Sequence, residues 1–269
     1  DTVDKLSEYC KIHNYEVYIM GGPKTVDNDL NLTDHCPGFG SAAKYIATTI
    51  AELERDINVY DIQAVTIVEI MGRNAGWLTA ASALARVNGG AGPDLIYLCE
   101  KAFDYDKFIA DVKDKLKVKS GLMIAISEGI KDSSGAYVSD TMSSGEVDNF
   151  GHKYIAGSAR ALEQLVREKI GCKVRAVELN LMQRAAAHIA SETDIVESLM
   201  LGLKAFECAV NGETGKMAAI KRLSDAPYRV EFTSVPVSEV ANHEKLVPMD
   251  WITPEAIDVT EEMMAYLKP

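Results

Sequence analysis

The stretch Lys24-Thr25-Val26-Asp27-Asn28-Asp29 gathers one cation, one hydroxyl, two carboxylates and an amide within six residues. A carboxylate can take the proton from an attacking hydroxyl while a cation and a hydroxyl hold anionic oxygens, as group transfer to an alcohol requires. A polar turn in which an Asx residue only closes the loop is the alternative. The cluster follows residues 15–20, whose apolar, β-favouring types read as a buried strand. Gly21-Gly22-Pro23 then turns the chain. The polar residues therefore fall at the carboxyl end of a strand, where open α/β sheets bind ligands. A second set occupies similar places. Met71-Gly72-Arg73 follows a β-branched run at 63–70, its glycine allowing close backbone approach and its arginine offering a fork to oxyanions. Glu128 ends another apolar run, and Lys173 and Arg175 share one face of a strand by alternation.

The elements that must hold these side chains alternate in type. Residues 1–11 predict a helix with Val3, Leu6 and Cys10 on one stripe. Residues 38–58 predict a long helix, with Ala42, Ile46, Ile50 and Leu53 at helical spacing and Ser41 near its start as a candidate cap. Strands are expected at 63–70, 94–99, 122–126 and 174–179, and helices at 75–86, 106–116, 152–168 and 192–210. This alternation predicts parallel βαβ units. Residues 131–150, rich in Ser, Gly and Asp, predict an exposed flap or a disordered loop. Beyond 212 the segments shorten: 216–221 and 229–232 suit an antiparallel pair, and 254–267 an acidic helix.

At 269 residues and 47% apolar, the chain can bury a large core in one or two domains. A net charge of −12 argues against a nucleic-acid partner, which would need a basic face. It also makes each cation within a motif count if the substrate is anionic. Five scattered cysteines lack any Cys-x-x-Cys pair and suit reduced thiols. No apolar run approaches the ~20 residues of a membrane helix, and no signal peptide is visible, so a cytoplasmic chain without membrane partners is expected. His35 and His188 lack metal-ligand spacing and suit structural or surface places; Trp77 suits helix packing.

Pro23-Lys24-Thr25-Val26-Asp27-Asn28-Asp29 resembles the catalytic loop of the phosphofructokinase family. Val68-Glu69-Ile70-Met71-Gly72-Arg73-Asn74-Ala75-Gly76-Trp77 and residues 178–184, ending in Gln183-Arg184, are similar to two further segments in the family's order. Thr33-Asp34-His35-Cys36-Pro37-Gly38-Phe39-Gly40 extends the likeness, which covers residues 1–212. The resemblance implies two Rossmann-like three-layer α/β/α domains with mainly parallel sheets. Residues 1–37 and 185–269 would be the remainder of a larger donor-binding domain with a C-terminal extension, and 38–184 a sugar-phosphate-binding domain. The chain opens in a helix pattern with no strand before it. The expectation is that the family's first strands and Gly-Gly-Asp donor loop precede it in a longer protein.

The resemblance further implies reversible transfer of phosphate from pyrophosphate to the 1-hydroxyl of fructose 6-phosphate, in glycolysis, with Mg²⁺. Lys24 resembles the marker of the pyrophosphate-dependent branch, where ATP-using relatives carry glycine. An ATP-dependent enzyme, one using another sugar phosphate, and a non-catalytic regulatory subunit are the alternatives. By the likeness Asp27, Lys24 and Arg73 are catalytic; Thr25, Val26, Asp27, Met71, Gly72, Arg73, Glu128, Arg175, Leu181 and Arg184 contact substrate. Asp29 is the candidate Mg²⁺ ligand, with the main ligand in the preceding segment. Arg175 would serve a neighbouring subunit's site, which implies a homodimer or homotetramer. Three departures stand out. Leu181 replaces a histidine or tyrosine, Ala185-Ala186 replace glycines, and Ala64 replaces an arginine. These leave Lys153 or Lys173 as candidates for the 6-phosphate.

Overall fold

The computed structural model describes residues 1–59, 61–141 and 157–269. In chain order the elements are α1 (Thr2–Ile12), β1 (Met20–Gly21), α2 (Phe39–Ile57), β2 (Ala64–Ile70), α3 (Trp77–Ala81), β3 (Leu95–Tyr97), α4 (Tyr105–Leu116) and β4 (Gly121–Ser127). They continue with α5 (Ser158–Lys169), β5 (Lys173–Glu178), α6 (Met182–Ala185), α7 (Glu192–Val210), β6 (Lys216–Asp225), β7 (Tyr228–Pro236) and α8 (Glu261–Leu267). The chain is α/β and divides into two compact units: Asp1–Ala42 with Ala187–Lys245 and Pro269, and Ala43–Ala186 with Leu246–Lys268.

The second unit is built on a four-stranded parallel sheet in the order β3-β4-β2-β5. Its central strands are apolar along their length because both faces are covered. Val65 and Ile67 of β2 and Leu122, Ile124 and Ile126 of β4 pack with Phe108 and Val112 of α4 and Leu162 and Val166 of α5. Alternate positions face the other way, where the Ser127 hydroxyl donates to Thr79 Oγ1 of α3 at 2.8 Å. The result is a helix–sheet–helix sandwich. Asp104 starts α4 by accepting the N–H groups of Asp106 and Lys107, both at 2.9 Å.

The first unit holds a three-stranded sheet, β1-β6-β7, in which β1 runs parallel to β6 and β6–β7 is an antiparallel hairpin with an irregularity between Arg222 and Ser224. Leu201, Ala218 and Ile220 form its small core with Val230 and Phe232. The first turn of α2 is held here by Asp194 of α7, which accepts the N–H of Gly38 at 2.7 Å and of Ser41 at 3.2 Å and the hydroxyl of Ser41. The helix start is thus fixed by a carboxylate 156 residues away, beside the local serine.

Several expectations shift. The strand expected at 15–20 is only the pair Met20–Gly21, and Tyr15, Val17 and Tyr18 are exposed. Its one neighbour, β6, begins opposite Met20, and among the described residues no strand lies beside 15–18. In α1 the buried residues are Ser7 and Cys10, while Leu6 is exposed. The helix expected at 75–86 splits into α3 and a 3₁₀ segment, Ser82–Asn88, where the Ser82 hydroxyl donates to Thr79 O at 2.6 Å. The final helix starts at Glu261 rather than 254, because an Ile252–Val259 bridge folds the preceding residues into a loop.

Residues 131–141 form a tight turn, with Lys131 bridged to Tyr137 and a 3₁₀ segment at Val138–Thr141. The expected flap at 142–150 lies outside the described residues, as do Lys153 and the start of the helix expected at 152–168. Residues 246–268, expected with the first domain, cluster with the second unit. Val247 N–H donates to Glu100, and Trp251 and Tyr266 pack on Trp77.

Candidate active site

The sequence-predicted residues fall into two groups, one on each unit. On the first, Lys24 is exposed and Thr25, Val26, Asp27 and Asp29 are half-buried. The loop turns at once after β1, so these side chains begin at the carboxyl end of that strand. Thr25 Oγ1 accepts the Asp27 N–H at 3.1 Å, which folds the loop back on itself. Asn28, fully buried, adopts a left-handed backbone with φ 60°. Such a conformation favours Asn among non-glycine residues.

Lys245, which sequence reasoning missed, organises the far side of this loop. Its ammonium donates to Asn28 Oδ1 at 3.1 Å, Thr33 O at 3.2 Å and Asp34 O at 2.6 Å. Burial lowers its pKa to about 8, against the opposing charges of Cys36, Asp34 and Asp29. A lone lysine in a short turn carries no pattern that would have marked it.

Beyond the loop, His35 sits between two carboxylates: Nδ1 lies 2.8 Å from Asp34 and Nε2 2.6 Å from Glu197. Glu197 also accepts the Tyr228 hydroxyl at 2.7 Å, and Arg222 donates to Asp34 at 3.0 Å. Burial works against charge on His35, yet its hydrogen bonds to Asp34 and Glu197, aided by their charges, raise its pKa overall. The histidine is structural, as expected.

On the second unit, Met71, Gly72, Arg73, Glu128, Leu181 and Arg184 follow the carboxyl ends of β2, β4 and β5. Adjacent strand ends are stitched together: Glu128 N–H donates to Ile70 O at 2.9 Å and Leu179 N–H to Glu69 O at 3.1 Å. The Met71 N–H donates to Gln183 Oε1 at 3.2 Å and the Gly72 N–H to Glu128 Oε1 at 3.3 Å. Gly72 needs its glycine: φ is 134°, and a Cβ would lie 2.5 Å from Ala75 O. Arg73 is half-buried, while Leu181 and Arg184 are exposed around α6.

Arg175 stands apart from this group, midway along β5. It donates to Asp56 at 2.7 Å, and with Lys173 and Ala64 it lines a shallow depression. The structure therefore gathers Met71, Gly72, Arg73, Glu128 and the residues of α6, but not Arg175.

Two more residues escaped sequence reasoning. Gln183, quoted only as part of a motif, is 2% exposed and clamps the Met71 backbone. Glu69 accepts the N–H groups of Gly157 and Ala159 at the start of α5, and burial pushes its pKa up to about 7. Its signal was legible: a single carboxylate inside Ala64-Val65-Thr66-Ile67-Val68-Glu69-Ile70 must have a partner when both faces are buried.

Asp29 offers a half-buried carboxylate in this loop, and among the described residues no three His, Cys, Asp or Glu side chains cluster as a metal cage. That donor set suits Mg²⁺, which takes one or two carboxylates and fills its shell with waters and phosphate oxygens.

In the second unit, parallel strands end in a glycine turn, an arginine and a carboxylate, at the end of an α/β sheet where ligands bind; the first unit carries its own Lys-Thr-x-Asp loop. The phosphofructokinase family model matches residues 1–209, and the chain belongs to that family. It is 40% identical to the pyrophosphate–fructose 6-phosphate 1-phosphotransferase of Halomonas elongata over the whole chain and 64% of that relative. Solved pyrophosphate-dependent phosphofructokinases from Nitrosospira multiformis and Marinobacter aquaeolei superpose with TM-scores of 0.87 and 0.86. Each is 36% identical, matched over all of this chain and 64% of its own. The chain thus spans about two thirds of the length of these relatives.

Proposed function

We propose that this protein transfers a phosphoryl group from pyrophosphate to the 1-hydroxyl of fructose 6-phosphate, reversibly, as a glycolytic enzyme. The observation that carries the reading is the loop itself: an exposed lysine and a threonine three and two residues before a half-buried aspartate, at a strand's carboxyl end. The names of the relatives matched over the whole chain support it.

In this mechanism the Asp27 carboxylate takes the proton of the 1-hydroxyl as its oxygen attacks phosphorus. The bond to the bridging oxygen of pyrophosphate breaks, and phosphate leaves. Lys24 and Arg73 stabilise charge on the transferred group; pyrophosphate lacks the adenosine that anchors ATP, so a fixed ammonium compensates. Thr25 and Val26 line the acceptor. Met71, Gly72, Glu128, Arg184 and Leu181 hold the sugar phosphate, and Arg175 reaches it from a neighbouring subunit of a homodimer or homotetramer. Asp29 would hold Mg²⁺, which when bound neutralises charge on the phosphates.

The first unit would supply the base, Lys24 and the residues beside them, and the second the other contacts to the sugar phosphate. A cytoplasmic location fits five free thiols and the lack, among the described residues, of a helix long and apolar enough to cross a membrane. Phosphorus NMR with fructose 6-phosphate and Mg²⁺, supplied with pyrophosphate or ATP in separate samples, tests the reading. Bisphosphate formed with pyrophosphate is the expected result. Turnover with ATP alone would remove the donor assignment, and turnover with neither would remove the activity.

A further inference from the structure

We propose that Lys245 is a positioning residue for the proposed phosphoryl transfer, setting the conformation of the loop that carries Asp27; the role rests on that loop being catalytic. Lys245 lies beyond the residues matched by the family model, which end at 209. It reaches the loop by backbone and side chain together. Its N–H donates to Asp29 O at 2.7 Å, and Glu244 bridges Leu30 in antiparallel sense. Its ammonium meets Asn28 Oδ1, Thr33 O and Asp34 O within 3.2 Å.

An ammonium has three donors, and three acceptors from one loop converge on this one. Asn28 is the residue directly after Asp27, fully buried and left-handed. Holding its side-chain oxygen fixes the peptide plane between Asp27 and Asn28, and with it the direction of the Asp27 side chain. Thr33 and Asp34 close the same turn, so one cation ties its beginning to its end. Without the ammonium these acceptors lose a charge-assisted partner, and the left-handed residue loses the bond that ties it to Lys245. A general base displaced by a fraction of an ångström loses rate, while substrate contacts made elsewhere persist.

The test uses the full chain carrying Lys245→Met, which keeps the length of the stem and removes the donors. The expected result is a fall in kcat of about 10- to 100-fold with the KM for fructose 6-phosphate within about threefold. Amide hydrogen exchange should quicken over residues 28–34 while α7 and β6 keep their protection. Lys245→Arg, which restores a cation and donors, should recover part of kcat. A merely structural lysine would leave kcat near the wild-type value in the folded variant, and that result overturns the proposal, as does unchanged exchange over 28–34. Should Lys245→Met fail to fold, Asn28→Gly replaces it: glycine accepts the left-handed backbone but offers no side-chain oxygen. The same loss of kcat supports the proposal, and an undiminished kcat overturns it. If the unsubstituted protein transfers no phosphate, the functional reading falls, and hydrogen exchange alone decides whether Lys245 sets the loop.

Discussion

At the scale of single residues, Asp27 is the sharpest point of test. Asp27→Asn keeps the size and polarity of the side chain but removes the base, so kcat should fall about 10²- to 10⁴-fold. The KM for the sugar phosphate should change little, because phosphate contacts are assigned to other residues. Phosphorus NMR measures both, and transfer undiminished in the variant would sink the mechanism. Most of this group was legible in sequence because a turn brings neighbouring residues together whatever surrounds it. Glu69, Gln183 and Lys245 were not singled out, for different reasons. Glu69 was visible as a carboxylate in an apolar strand, but its partners, Gly157 and Ala159, come from another element. Gln183 and Lys245 act on groups 112 and up to 217 residues away, and nothing local encodes such a contact.

At the scale of elements, two long-range side chains fix how segments join. Asp194 of α7 accepts three hydrogen bonds at the first turn of α2. Asp194→Ala should cost about 2 kcal/mol, the upper end for a lost helix cap, measured by urea denaturation. His35 links the segment after the Asp27 loop to α7 through Glu197, and Asp34 connects it to β6 through Arg222. Its folded pKa is raised above the ordinary 6.5. The folded state therefore holds the proton more tightly than the unfolded one. The resulting stability is fully present below pH 6.5 and is lost as pH rises through the folded value. Thermal midpoints across pH should show that decline, and His35→Gln should abolish it. A decline that survives in the variant would assign it to another group.

The second unit offers a packing test at the turn following β4. A Cβ on Gly129 would lie 1.8 Å from Arg73 O, so Gly129→Ala must push the Arg73 backbone aside. The expected cost is about 3 kcal/mol, with a raised KM for fructose 6-phosphate. An unchanged KM in the folded variant would separate Arg73 from the sugar site.

At the scale of the whole molecule, the assignment of Arg175 to a neighbouring subunit makes a distinct prediction. Its pairing with Asp56 is half-exposed on both sides and therefore weak, so it can be exchanged for a phosphate. Asp27→Asn and Arg175→Ala proteins, each inactive alone, should regain about a quarter of wild-type activity when mixed after dissociation and reassociation. A mixed dimer would hold one site with both defects and one with neither. No recovery would place Arg175 in its own subunit's chemistry or outside it.

By itself the sequence determined the α/β alternation, the antiparallel pair after 216, and the motif residues of both units. Hydrophobic period and turn chemistry are local and persist in any context. Only the tertiary structure decided where the pattern failed. Residues 15–19 have the composition of a buried strand yet stay outside the sheet, because a strand exists only where a neighbour supplies hydrogen bonds. Residues 246–268 joined the second unit through Val247, Trp251 and Tyr266, whose partners Glu100 and Trp77 lie far back in the chain. Lys245 became part of the loop for the same reason: three acceptors spread over residues 28–34 form one site for an ammonium only after the chain has folded around them.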